Sequence, residues 1–244
     1  MSKVLLVTGA GRGIGAAIAR AAGKEGYAVV VNYSRSKDQA DAVVRDITGA
    51  GGEAIAVQGD MASERDIQAV FAAIDKTYGR LDALVNNAGI IGRRGRVDTV
   101  EAAAIAELLA LNVTGAFICA REAVKRMSTA HGGKGGVIVN VGSAATRLGG
   151  SGEYVPYAAS KGAINVLTIG LAKEVALEGI RVNTVEPGLI ATEIHYDGRL
   201  ERLGPTVPMG RVASPEEVAG PVLFLLSDAA SYMTGSIVTV TGGR

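Results

Sequence analysis

Seven short runs of consecutive apolar, mostly β-branched residues restrict the fold of this chain more than any other feature: residues 4–7, 28–31, 54–57, 83–85, 137–141, 181–185 and 237–240. A strand with one wet face alternates apolar and polar positions, whereas a strand covered on both faces is apolar throughout. Stretches with helical patterning lie between these runs, at about residues 16–23, 37–48, 63–78, 99–127, 157–177 and 215–227. Two carry start signals: Ser63 precedes Glu64 and Asp66, and Ser214-Pro215-Glu216-Glu217 joins an N-cap to proline and acids in the first turn. Strand and helix alternate along the chain, and no proline-rich or polar linker divides it. The expected fold is therefore α/β: one domain over residues 1–244, a doubly wound (Rossmann) seven-stranded parallel sheet with helices on both faces.

Composition narrows the function. A formal net charge of +1 supplies no broad field for a nucleic-acid backbone or an anionic membrane, so neither partner is expected. The one cysteine, Cys119, excludes an internal disulfide framework and is expected to be a small buried residue on a helix. His131 and His195, with no cysteine near them, give no metal-ligand spacing, and both are expected at the surface. The apolar stretch at residues 4–7 is too short for a signal peptide, which points to the cytosol. Residues 102–120 come nearest to a membrane span, but Glu107 and Asn112 interrupt them, and a buried helix is expected.

Directly after the first run comes Thr8-Gly9-Ala10-Gly11-Arg12-Gly13-Ile14-Gly15, and then a helix begins. Glycines at such a turn let backbone N–H groups and the helix N-terminus approach a pyrophosphate. Methyltransferases use similar turns. Here the strand before, the helix after and a second strand ending near Val31 supply the setting of a dinucleotide site. NAD sites usually carry an acid about 20 residues past the glycines, on the ribose 2′-hydroxyl. This chain reads Asn32-Tyr33-Ser34-Arg35 instead, and Arg35 with Arg12 suits a 2′-phosphate. The expected cofactor is NADP(H) in preference to NAD(H), with Asn32 and Ser34 beside the arginines.

In Tyr157-Ala158-Ala159-Ser160-Lys161 the spacing of four places a phenol and an ammonium on one helical face, a turn apart. A free tyrosine titrates near 10. One positive charge at about 4 Å, in an effective dielectric of about 20, offers roughly 4 kcal/mol, or up to about 3 pKa units. That upper bound brings the phenol near neutrality, where general acid/base catalysis works best. Such pairs also arise on solvated helix faces, so the rest of the chain has to decide. Tyr154 lacks the cation, since Ala158 stands four residues on.

Over essentially its whole length the chain resembles the short-chain dehydrogenase/reductase family. Thr8-Gly9 through Gly13-Ile14-Gly15 looks like the family's glycine motif, and Asn86-Asn87-Ala88-Gly89 like its adenine-side motif. Asn112, Ser143, Tyr157 and Lys161 resemble its catalytic tetrad, and Pro187-Gly188 with Thr192 its nicotinamide-side segment. The resemblance implies an oxidoreductase that interconverts a carbonyl and a secondary alcohol. Tyr157 would move the proton, Ser143 polarise the oxygen, Lys161 lower the phenol pKa and hold the nicotinamide ribose, and Asn112 support a water relay. It further implies cofactor contacts from Gly9, Gly11, Asp60, Met61, Asn86, Ala88, Gly89, Pro187, Gly188, Ile190 and Thr192. Ser143 precedes Tyr157 by 14 residues, one more than the commonest family spacing.

Substrate choice is expected in the loop at about residues 188–214, and the residues do not distinguish a sugar from a 3-oxoacyl thioester. Arg93, Arg94 and Arg96 lie near the expected rim and read as a solvated loop or an anion contact. A catalytically silent NADP(H)-sensing protein is the alternative from another class, opposed by the intact tetrad. Small residues Ala158, Ala159, Gly162, Ala163 and Gly170 permit close helix approach, and with the resemblance they imply a homotetramer, or else a dimer.

Overall fold

The computed structural model describes residues 2–195 and 198–244. Its strands are β1 (Val4–Val7), β2 (Ala28–Tyr33), β3 (Glu53–Gln58), β4 (Ala83–Asn86), β5 (Gly136–Val141), β6 (Ile180–Pro187) and β7 (Ile237–Val240). They form one parallel sheet of order β3-β2-β1-β4-β5-β6-β7. The helices are α1 (Gly13–Lys24), α2 (Lys37–Gly49), α3 (Glu64–Tyr78), α4 (Ala102–Leu109), α5 (Ala116–Met127), α6 (Ala145–Leu148), α7 (Val155–Val175), α8 (Arg199–Leu203) and α9 (Pro215–Leu226). Strand order runs outward from β1 to β3 and then restarts on the other side at β4. That reversal opens a crevice beyond the carboxyl ends of β1 and β4, the place where such sheets bind ligands.

Alternate side chains of each inner strand enter two separate cores. Leu5 and Val7 pack with Ile18 of α1, Val43 of α2 and Val222 of α9. Val4 and Leu6 pack with Phe71 of α3, Ala123 of α5 and Val175 of α7. Each fully buried side chain of this size contributes about 1.5–3 kcal/mol. The expected unbroken apolarity holds for β1, β2 and β4, all of whose residues are buried, but not at the edges. There β3 is largely half-buried, and β7 alternates exposed and half-buried positions. Both expected helix starts form: Ser63 Oγ accepts from the Asp66 N–H at 3.3 Å, and Ser214 with Glu217 makes a capping box.

Two expectations need correction. The stretch read as one helix over residues 99–127 is broken: α4 and α5 are joined by a π-helical turn, Ala110–Gly115. It is also not buried. By length and composition Ala102–Met127 could cross a membrane, and only 22% of its most apolar window is inside the protein. Its inner face nevertheless belongs to the core, through Cys119, Ala120, Ala123 and Met127. The helix is apolar on more sides than one sheet covers, which leaves Leu109 and Phe117 exposed.

A chain of buried polar side chains crosses the sheet near its centre. Asn86 Nδ2 donates to Asn140 Oδ1 (3.0 Å), Asn140 Nδ2 to Thr168 Oγ1 (2.8 Å), and Thr168 shares a hydroxyl bond with Thr184 (2.7 Å). Pairing each group removes the cost of about 1–3 kcal/mol that an unsatisfied buried polar atom would carry.

Candidate active site

A cleft of about 1170 Å³ runs along the carboxyl ends of the strands, from the glycine turn to Tyr157 and Lys161. Its first half is shaped by backbone. Gly9 and Gly13 adopt φ of 62° and 55°, in the left-handed region that side chains avoid. A Cβ on Gly15 would stand 2.5 Å from Asn87 Nδ2 and 2.6 Å from the Gly9 carbonyl, and one on Gly13 would stand 3.3 Å from Thr192 Cγ2. Helix α1 therefore begins against the turn with its N-terminal amides at the cleft, the cradle a pyrophosphate requires.

Of the residues expected to contact the cofactor, Gly9, Gly11, Arg12, Gly13, Ile14, Gly15, Asn32, Ser34, Arg35, Asp60, Met61, Ala88, Gly89, Pro187, Gly188, Ile190 and Thr192 all line this cleft. Asn86 does not. Its side chain turns inward to Asn140 and the Ala116 carbonyl, where it braces the sheet. Asn32 is also turned in: Oδ1 accepts from the Gly9 N–H (3.0 Å) and Nδ2 donates to the Gly59 carbonyl (3.0 Å), so it ties two loops together. Arg12 pairs at 3.0 Å with Glu193, across the mouth of the cleft. Sequence reasoning passed over Asn87, whose side chain donates to the carbonyls of Thr8 (2.8 Å) and Gly9 (3.1 Å). Its place in the Asn86-Asn87-Ala88-Gly89 run was the available signal.

The second half is built by side chains. Lys161 is buried, and its Nζ donates to the Val141 carbonyl at 2.7 Å. Burial pushes its pKa down to about 8. Tyr157 is half-buried in the same cleft, with the Lys161 ammonium 5.9 Å from its ring centroid. Burial raises the phenol above its ordinary value, against the hydrogen bond with Ser143 and the charge of Arg199. The expected lowering by Lys161 is absent from this state of the protein. The ammonium is occupied by a carbonyl, and desolvation opposes both charged forms.

Ser143 follows β5, and its Oγ accepts from the Ala145 N–H at 3.1 Å. Asn112 lies in the π-helical turn, 2% exposed. Its Oδ1 accepts from the Ile90 N–H (2.9 Å), and Nδ2 donates to the Ile90 carbonyl (2.8 Å) and to Ser160 Oγ (3.1 Å). It thus fixes the segment leaving Gly89. A Cβ on Gly115 would meet the Met61 carbonyl oxygen at 1.9 Å, so the turn packs directly on the backbone after β3.

At the far rim, Arg94 and Arg202 reach Glu153 at 2.7 and 3.3 Å, while Arg93 and Arg96 stand at 3.8 and 3.1 Å from Glu101 and Asp98. Tyr154 is buried beneath the Arg199 guanidinium, 5.1 Å from its ring centroid. His195, expected at the surface, is half-buried and lines the cleft, where burial and the charge of Arg199 lower its pKa. Cys119 is buried as expected, its thiol pushed up to about 12 by burial. Among the described residues no cluster could hold a metal ion.

A switch-point cleft that joins a glycine cradle to a tyrosine and a lysine one helical turn apart defines a nicotinamide-dependent oxidoreductase. Residues 9–244 match the family profile described as enoyl-(acyl carrier protein) reductase. The chain is 51% identical to the Escherichia coli oxidoreductase YgfF, over 99% of each. It is 41% identical to a 3-oxoacyl-[acyl-carrier-protein] reductase of Synechocystis, over 99% of this chain and 96% of that one. With an L-rhamnose 1-dehydrogenase (NAD(P)(+)) of Sphingomonas the identity is 37%, over 99% and 95%. A Burkholderia cenocepacia short chain dehydrogenase in complex with NADP superposes with a TM-score of 0.91 at 33% identity, covering 99% of this chain and 97% of that one. The chain belongs to the short-chain dehydrogenase/reductase family.

Proposed function

We propose that this protein is an NADP(H)-dependent enzyme that interconverts a carbonyl and a secondary alcohol, with Tyr157 as the general acid/base. The observation that carries the reading is the single cleft in which Tyr157, Ser143 and Lys161 continue directly from the glycine cradle. When bound, the cofactor would supply or accept hydride at the carbonyl carbon. Tyr157 holds the proton that the carbonyl oxygen takes up. Ser143 Oγ, which lines the same cleft, donates to the same oxygen as charge develops there. Lys161, at the base of the same cleft, would hold the nicotinamide ribose, and its charge would act on the phenol. Asn112 steadies the segment beneath this group and supports a water path for the proton. An intact donor set argues against a silent sensing role.

The preference for NADP(H) rests on Arg35 and Arg12 lining the adenosine end, where β2 ends in Asn32-Tyr33 without an acid. Calorimetric titration with NADPH and NADH is expected to show tighter NADPH binding, and Arg35→Ala to narrow the gap by about tenfold, the loss of one charge-assisted phosphate contact. Equal affinity for the two cofactors in the parent protein overturns the preference. Mixing the enzyme and NADPH with 3-oxoacyl thioesters and oxidised sugars, and following cofactor absorbance, tests the activity and its substrate. Relatives of both classes match this chain, and residues 188–214 of this single-domain chain are the segment that selects between them.

The same reading includes a cytosolic setting, which suits a chain with one cysteine and a buried thiol. It also includes a homotetramer, with a dimer second. Leu109, Phe117, Val166 (70% exposed) and Ile169 form bare apolar faces on α4, α5 and α7, and Phe224 with Ile237 marks a second bare region at α9 and β7. Light scattering at micromolar concentration is expected to give four copies, and Val166→Glu to reduce the mass. A fully active monomer refutes the assembly.

A further inference from the structure

Glu186, the residue before Pro187 in β6, is 2% exposed, and it does not line the cleft. A carboxylate withdrawn from water this far needs partners, because an unpaired buried charge is among the costliest groups in a protein. It has three. Its Oε1 accepts from Thr146 Oγ1 at 2.6 Å and from Asn165 Nδ2 at 2.8 Å, and the Arg147 Nε stands 3.8 Å from its Oε2.

These partners come from the two segments that must cooperate in the chemistry. Thr146 and Arg147 belong to α6, the short helix that follows Ser143, and the Thr146 hydroxyl also lies 3.0 Å from the Ser143 carbonyl. Asn165 stands one turn beyond Lys161 on α7, the helix that carries Tyr157. Gly142 leaves the passage between them open: a Cβ there would lie 2.8 Å from Thr184 Cγ2 and 3.1 Å from Glu186 Cγ. Backbone bonds from Gly142 N–H to the Val185 carbonyl (2.8 Å) and from Ala144 N–H to the Pro187 carbonyl (2.9 Å) tie the serine segment to β6, but not to α7. Besides the Lys161 bond to the Val141 carbonyl, the Glu186 side chain supplies that tie, through Thr146 and Asn165.

We propose that Glu186 is a positioning residue for proton transfer: its buried carboxylate links the Ser143 turn to the Tyr157–Lys161 helix and so sets how the two hydroxyls share one carbonyl oxygen. The inference rests on the acid/base reading of Tyr157. Misplacing a reacting group by about 1 Å costs on the order of a hundredfold in rate.

The test compares Glu186→Ala, Glu186→Gln and Thr146→Val in the full chain, by kcat, NADPH affinity, Tm and the primary isotope effect with 4-deuterated NADPH. Glu186→Ala is expected to lower kcat by about 10- to 100-fold, to raise the isotope effect, and to leave NADPH affinity within about twofold of the parent. Glu186→Gln keeps an acceptor for Thr146 and Asn165 and is expected to restore most of kcat. A folded Glu186→Ala enzyme with parental kcat, or one whose loss of rate follows its loss of NADPH binding, overturns the proposal. If Glu186→Ala does not fold, the nearly isosteric Thr146→Val decides: a fall in kcat with Tm preserved supports the link, and an unchanged kcat removes it. A Tyr157→Phe enzyme that still turns over would defeat the acid/base reading itself, whereas an inactive Tyr157→Phe beside a normal Glu186→Ala defeats only the positioning role.

Discussion

The two halves of the cleft are made of different material. The glycine side is a surface of backbone: close approaches at Gly9, Gly13 and Gly15, a helix N-terminus, and Asn32 and Asn87 spending their side chains on carbonyls and amides. The tyrosine side is a set of side chains, each held at its polar end mainly by backbone: Lys161 by the Val141 carbonyl, Asn112 by the Ile90 amide and carbonyl, and Ser143 by the Ala145 N–H, with Lys161 and Asn112 buried. A backbone cradle loses its ligand when an added atom fills it, and tolerates the trimming of most surrounding side chains. A side-chain site fails when one atom is removed. Binding and turnover should therefore separate cleanly under mutation.

The largest effect expected from this contrast is at Tyr157. Removing one oxygen in Tyr157→Phe should lower kcat by about 10²–10⁴-fold, the range for losing a general acid, while NADPH affinity stays near that of the parent. Stopped-flow reduction rates and calorimetry on one preparation check both, and a variant retaining most of its kcat would move the acid elsewhere, with Tyr154 the first residue to examine. Next comes addition of one carbon on the opposite side. Gly15→Ala drives a Cβ toward Asn87 and the Gly9 carbonyl, so NADPH affinity should fall about tenfold or more, with a stability loss of about 1–3 kcal/mol typical of overpacking. Parental affinity in Gly15→Ala would mean that the cradle yields, and the contrast would collapse.

The last effect concerns charge, and it is read on stability alone. Lys161 ionises at about 8 in the folded protein instead of 10.5. Folding therefore penalises its ammonium at pH below about 8, and the penalty disappears as pH rises toward 10.5, because the unfolded chain binds more protons across that window. Relative to Lys161→Met, the parent should gain up to about 3 kcal/mol as pH rises through it. Urea unfolding of both proteins at pH 7.5 and 9.5 measures the larger part of that change. A pH-independent difference would show that Lys161 is not desolvated.

The same contrast explains what could be read from sequence. The strands and the glycine turn were legible because local chemistry dictates them: strands buried on two faces need unbroken apolarity, and a tight strand-to-helix turn needs glycine. The start of α9 was legible for a similar reason, since Ser214, Pro215 and Glu217 are each suited to a helix N-terminus. The π-helical turn at Ala110–Gly115 left no such mark: Asn112, Val113, Thr114 and Gly115 are weak helix formers, but that composition does not distinguish a π turn from an ordinary weak spot in a helix, and the close packing of Gly115 on Met61 is a tertiary contact. For Asn32 and Asn86, sequence carries position along a strand but not the direction of a side chain at its end, and the structure turns them to the Gly9 amide and the Gly59 carbonyl and to Asn140. Glu186 went unnoticed between the run at residues 181–185 and the Pro187-Gly188 turn. A single acid has no periodicity, and its partners lie 40 and 21 residues away in sequence.

The π-helical turn also fixes how length may vary along this chain. A wider turn accommodates one residue more than the α-helix it interrupts, so deleting a residue there would restore α geometry. The residues that follow would then keep their faces, whereas a residue lost or gained within α5 itself would rotate everything after it by about 100° and swing Ala123 and Met127 out of the sheet contact. Insertions and deletions should therefore collect among descendants of this sequence in the segment after Pro187-Gly188, where a loop can absorb them. Helix α5 should keep a constant count, because one residue more or less within it would give the same amino acids a different inside and outside, and the π turn before it is where a residue can be lost without that exchange.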